Sequence, residues 1–304
     1  MEKAVSVDTR AAPTAGLPFV KARLTDLRRH RLFRSTAECV SRAELETYAG
    51  FDATARWMFK DLGRAAMYLA LVVLDRMPGG ATAGVLVSAC VAGGAGSRAR
   101  VLAFVDRGLS SRCFTLVPGS QPWTKRRLIL EGAFRDTLRR SLSGAMNALR
   151  NIAPEVADAV PLLCDDDRFA AAAASLAVLA RDGPALGMPA MPAVAFFIHR
   201  DGGLRLLQDL VGRQEPDRAR LLTAARLPMS EVARRCGVSR IHLETLLEDA
   251  AAAGLLSRPT RDLVAFSAAL NEDFERYVAV QIEGLRFIAR AMNESEVPFA
   301  RADG

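Results

Sequence analysis

Apolar positions in this chain fall mostly at helical spacing. From Asp52 to Met77 they recur with a period near 3.6 until Pro78-Gly-Gly80 ends the run. Phe274, Val278, Ile282 and Leu285 form one stripe of a long helix predicted over 269–293. Two S-x-x-E boxes, Ser35 to Glu38 and Ser41 to Glu44, predict a helix start in that stretch, interrupted at Gly50. Further helices are expected as a short pair within 81–109 around Gly93-Gly-Ala-Gly96, then over 131–151, from the acidic start Asp165–Asp167 to Gly183-Pro184, over 193–211, and over 216–226. Short apolar runs at 113–117 and 128–130 predict two strands around a loop that holds Trp123. The pattern predicts a mainly α fold with small β-hairpins.

One segment carries more. In Met229 to Leu256, Ser230 is placed to cap a short helix that buries Val232 and Ala233, Gly237 to make a turn, and Ser239 to cap a second helix. Leu243, Leu246 and Leu247 then share one face at i, i+3, i+4, and Gly254 ends the helix before a strand at Leu255-Leu256. Arg240, His242, Glu244 and Thr245 are left on the outer face near the helix start, where a recognition helix reads base edges.

Sliding the first half by 142 residues puts Ser97 on Ser239, Arg98 on Arg240, and Val101, Phe104 and Val105 on Leu243, Leu246 and Leu247. Gly108-Leu109 aligned with Gly254-Leu255 implies that the first copy is shorter by four residues, about one helical turn. A repeat of this length means a duplicated domain. The reading divides the chain into a flexible basic arm at 1–34, a first unit at 35–158, a second at 159–293 and a tail at 294–304.

Composition narrows the class. Half of the residues are apolar, so the chain can bury two cores, and only 6% are aromatic. Lys and Arg number 41 against 34 acidic residues, a net +7 that favours a polyanionic partner. The dense stretch from Lys21 to Arg34 reads as a solvated helix face or as an arm touching a nucleic-acid backbone. Five scattered cysteines without a CxxC pair point away from disulfides and zinc and to a reducing cytoplasm, where binding to DNA would make the protein nucleoid-associated. Cys236, at the turn between the two helices, reads as a small buried filler or a redox-sensing thiol. The first eighteen residues lack the apolar core of a secretion signal, and the uncharged run Gly79 to Gly96 reads as a buried helix-turn, not a membrane span.

Ser239 to Leu256 resembles the recognition helix of the MarR family of bacterial winged-helix transcriptional regulators, commonly S-R-x-T-V-S-R-L-V-D-R-L-E-x-x-G-L-V, with His242 at the Thr position and Thr245 at the second Arg. Ser97 to Arg107 follows the same pattern, and Lys125-Arg126-Arg127 looks like the family's basic wing tip. The resemblance covers about residues 50–150 and 190–292. It implies two tandem winged helix-turn-helix units, a fused pseudo-dimer where the family has homodimers, and sequence-specific binding of double-stranded DNA. Family members often sense small aromatic compounds between dimer helices, but no residue here marks such an effector site.

The candidate contacts are Arg240, His242, Glu244 and Thr245 on base edges, Arg98, Arg100 and Arg107 on the first copy's helix, and Lys125, Arg126, Arg127, Arg258 and Arg261 on the wings. Trp123 reads more simply as an anchor for the wing's base. Three histidines without metal spacing, and no HExxH, GxSxG or Walker A sequence, indicate a non-enzyme without cofactor. Gly93 to Ser97 lacks the strand and Lys of a phosphate loop and reads as a turn. The long terminal helices are expected to hold the halves together and to offer a homodimer contact. A winged-helix protein-interaction scaffold or a replication-initiator-like protein is the alternative.

Overall fold

Several helices of this protein begin at a polar side chain, such as Asp52, Thr82, Ser97 or Ser239, that accepts a hydrogen bond from the first turn. The computed structural model describes residues 21–59, 62–182, 191–214, 220–260 and 262–294. In chain order it contains α1 (Lys21–Arg29), α2 (Phe33–Ala49), α3 (Ala53–Met58), α4 (Leu62–Asp75), α5 (Ala83–Ala92), α6 (Arg98–Ser110), β1 (Phe114–Leu116), β2 (Leu128–Leu130), α7 (Gly132–Asn147), α8 (Pro154–Asp158) and α9 (Asp166–Asp182). There follow α10 (Pro192–Ile198), α11 (Gly203–Val211), β3 (Ala224–Arg226), α12 (Met229–Cys236), α13 (Arg240–Ala252), β4 (Leu256–Thr260), β5 (Leu263–Phe266) and α14 (Ala268–Glu294). The fold is mainly helical with small antiparallel sheets, β1–β2 and β3–β5–β4.

Two stretches share an element order. A helix (α4 or α11) leads to an extended segment, two helices joined by a tight turn, a hairpin and a closing helix (α7 or α14). The extended segment is β3, paired with β5, in the second stretch, and a single bridge from Thr82 to Arg127 in the first. Both tight turns begin at a left-handed glycine, Gly94 (φ 71°) or Gly237 (φ 71°). In each, the next N–H returns to a carbonyl five residues back, Ala95 to Cys90 and Val238 to Ala233. Ser97 and Ser239 then cap α6 and α13, accepting from the N–H of Arg100 and His242.

Several expectations are corrected. Helices α6 and α13 have thirteen residues each, so the first copy is not truncated. Arg112 (φ 56°) closes α6 as Gly254 (φ 70°) closes α13, and the offset of 142 continues unbroken through Phe114 and Leu256. Ser35 and Ser41 lie inside α2, which starts earlier at Phe33 because that side chain is buried. Ser230 lies inside α12, which starts after Pro228. The helix expected over 193–211 breaks where Gly202 takes φ 73°. The helix expected over 216–226 is not formed in its described part, where β3 pairs with β5 instead; cross-strand pairing overrides local propensity. The segment 52–77 is split into α3 and α4, and the helix over 131–151 stops at Asn147.

The two stretches share one core. A single apolar cluster runs from Leu27 to Met292. Helix α9 packs against both α4 and α14, and α2 packs against both α7 and α11. The apolar stripe of α14, from Leu270 through Phe274, Val278 and Ile282 to Met292, is buried inside the chain, so it is not free for the homodimer contact expected of it. Residues 21–34, expected as an arm, form α1 and the start of α2. Helix α1 lies on α14, with Arg28 paired to Glu275 at 3.0 Å and Arg23 to Glu283 at 3.7 Å. The rest of the arm lies outside the described residues.

Charged clusters tie these layers. Asp166 meets Arg76, Arg135 and Arg139, while Asp75 holds Arg135 at 2.8 Å. Burial opposes ionisation of Asp166, but the hydrogen bond from Arg139 and the charges of Arg135, Arg139 and Arg76 outweigh it and hold the carboxyl below its usual range. Where α2, α11 and α14 meet, Glu44 accepts hydrogen bonds from the side-chain amides of Gln208 and Gln281. Burial pushes its carboxyl up to about 7, which the two amide bonds only partly offset.

Candidate nucleic-acid interface

The second pair of helices keeps its expected face open. Leu243, Leu246 and Leu247 of α13 are buried, while Arg240, Ile241, His242 and Thr245 face solvent. Their polar groups are partly committed. The His242 Nε2 lies 3.0 Å from the carbonyl of Asp201, and the Thr245 hydroxyl donates to the carbonyl of Ile241. Glu244 is bound by Arg258 of β4 at 2.6 Å, so neither is the open base-reading or wing contact expected. Arg240 borders an open cleft of about 470 Å³ that it shares with Glu231 and Asp262. Arg261 lies outside the described residues.

The charge on α13 is unfavourable to a polyanion. Along its thirteen residues Arg240 stands against Glu244, Glu248 and Asp249. Helix α6, its counterpart, carries Arg98, Arg100 and Arg107 against Asp106 alone. At the offset of 142, Arg100 corresponds to His242 and Arg107 to Asp249. The wider stretches repeat this contrast. Between Leu62 and Arg150 thirteen basic residues face four acidic ones, whereas between Gly203 and Asn293 thirteen face twelve.

Within the first stretch the cations divide by role. Arg126 donates from Nε to the carbonyl of Val117 at 2.9 Å, closing the hairpin loop on itself. Arg127 reaches Asp75 at 3.3 Å, which ties β2 to the end of α4. These two of the three expected wing cations therefore hold the hairpin. Lys125, Arg98 and Arg107 are exposed with no ion-pair partner among the described residues; Arg100 is also exposed. Arg112, which follows α6 in the left-handed region, joins the exposed set. Nothing local in the sequence marks a helix-closing arginine as a member of this exposed set. Trp123, expected as an anchor under the hairpin, is 41% exposed.

The remaining chemistry is spare. Cys236 is buried against α11, and burial pushes its thiol up to about 12, which makes it a filler and not a thiolate. Among the described residues no group of three His, Cys, Asp or Glu side chains could hold a metal ion, and no helix is long and apolar enough to cross a membrane. The uncharged run 79–96 is neither a span nor wholly buried, since one side of α5 faces solvent. Compared with known proteins, the chain matches no family model, and no curated protein or solved structure shows significant similarity to it.

Proposed function

We propose that this protein binds double-stranded DNA through two winged helices fused around one core, and that it acts as a transcriptional regulator whose main DNA contact lies on the first unit. The observation that carries the reading is the repeated order of two helices, the second capped by serine, and a hairpin, with the basic stretch presenting Arg98, Arg107, Arg112 and Lys125 to solvent. The small side chains Ala99 and Ala103 on the outer ridge of α6 leave room for close approach to a groove. Helix α13 is the weaker reader, because Glu248 and Asp249 would face phosphates.

The test is fluorescence anisotropy with duplex from the gene's own upstream region and with random duplex, over 50 to 200 mM salt. Log affinity should fall against log salt by roughly 0.9 per phosphate neutralised, and Arg98→Ala or Arg107→Ala should each reduce that slope by about 1. Arg240→Ala should matter less. Absence of any complex at 50 mM salt defeats the reading; a greater loss from Arg240→Ala than from Arg98→Ala moves the contact to α13. One feature favours a protein-interaction scaffold as second reading: the acidic outer face of α13 carries the exposed apolar side chain of Ile241.

A further inference from the structure

Helix α5 breaks the rule that a helix without charge is buried. Its ten residues, Ala83-Gly-Val-Leu-Val-Ser-Ala-Cys-Val-Ala92, include no ionisable side chain except Cys90, which is buried. Ala83, Leu86, Val87 and Cys90 fill the core, yet Gly84, Val85, Ser88, Val91 and Ala92 face solvent, with Val85 39% and Val91 49% exposed. The hairpin loop extends the apolar patch, because Trp123 to Lys125 packs on α5 and the carbonyl of Thr124 lies 3.6 Å from where a Cβ on Gly84 would be. Lys125 flanks this surface on the loop, and Arg98 and Arg100 open the helix that follows α5. An uncharged face offers nothing to phosphates, so DNA does not account for it.

The complementary surface lies on the same chain. Ile241 on α13 is 80% exposed, the most exposed of the large apolar side chains among the described residues. Glu248 lies two turns further along the same face of α13 with Asp249 next to it, while Glu244 is paired with Arg258. On α13 the exposed acids Glu248 and Asp249 outnumber the exposed cation Arg240, whereas Lys125 borders the apolar face of α5. Two α5 faces placed together would instead oppose like charges, which costs affinity.

We propose that copies of this chain associate head to tail, the α13 face of one docking on the α5 and hairpin-loop face of the next. The contact is heterologous, so a dimer still carries one free α13 face and one free α5 face, and assembly grows past the dimer unless the geometry closes a ring. The inference does not rest on DNA binding.

Sedimentation velocity of the full chain tests it. In 0.1 M salt the wild type should form species larger than a dimer as concentration rises. These should shrink in 1 M salt, where the screening length falls from about 10 to about 3 Å. Ile241→Asp and Val91→Asp, each alone, should sediment as monomers with unchanged circular dichroism. Their mixture should regain a dimer and nothing larger, since each supplies the face that the other lacks. The charge reversals Glu248→Lys and Lys125→Glu repeat the experiment without altering an apolar residue: each weakens association alone, and together they restore it. A wild type that stays monomeric, single variants that still assemble, or mixtures that stay monomeric overturn the proposal.

Discussion

Glu44 shows how one residue can be misread from its neighbours. In the sequence it completes an S-x-x-E box and is expected at a helix start. In the fold it lies in the last two turns of α2, facing α11 and α14, held by Gln208 and Gln281 and close enough to Tyr277 to raise that phenol's pKa, though burial raises it more. With its carboxyl pushed up to about 7 in the folded chain against 4.5 for the ordinary group, the folded state binds the extra proton between those values. Stability is therefore fully present below about pH 4.5 for this group and is lost as pH rises through 7. At 1.36 kcal/mol per unit, the loss is at most about 3 kcal/mol. Thermal melting between pH 5 and 8 should show wild-type stability declining, and Glu44→Gln should flatten that decline. An unchanged slope in the variant would show that Glu44 is already ionised at pH 5.

At the scale of elements, the two helix pairs are built by the same local devices, and glycine is needed where φ is positive. Gly254 has open space around its missing Cβ, whereas a Cβ on Gly237 would lie 2.6 Å from the Tyr48 hydroxyl of α2. Gly254→Ala should therefore cost about 1–2 kcal/mol, the left-handed penalty alone. Gly237→Ala should cost more, because Tyr48 must also move. Urea unfolding measures both, and equal losses would mean that Tyr48 yields freely. Arg112 tolerates the same conformation without glycine, which keeps a cation at the end of α6. That difference, together with Arg107 where the second stretch has Asp249, makes the first stretch the more basic of the two while their element order stays alike.

For the whole molecule, the halves drawn at residue 158 do not coincide with independent cores. Helix α9 lies between α4 and α14, and α2 of the first half rests on α11 of the second. A fragment ending at 158 would expose the faces of α2 and α4 that these helices cover, and apolar area returned to water costs about 25 cal/mol per Å². Fragments 1–158 and 159–304, made separately, should lack the dispersed amide spectra of folded domains, and the full chain should unfold in one transition. Two well-dispersed spectra that sum to that of the whole would show instead that the halves fold alone.

What the sequence determined by itself is local: the caps Ser97 and Ser239, the left-handed turns at Gly94 and Gly237, and the buried triplets on α6 and α13. Each depends on residues within one or two turns of helix, so spacing alone exposes it. The tertiary structure decided the rest. It made β3 a strand by pairing it with β5, bound Glu244 to Arg258 and Arg127 to Asp75, set Glu44 between Gln208 and Gln281, and merged two expected domains around one core. Those outcomes depend on partners from 14 to more than 200 residues away in the chain, and no local pattern records which distant side chain will arrive.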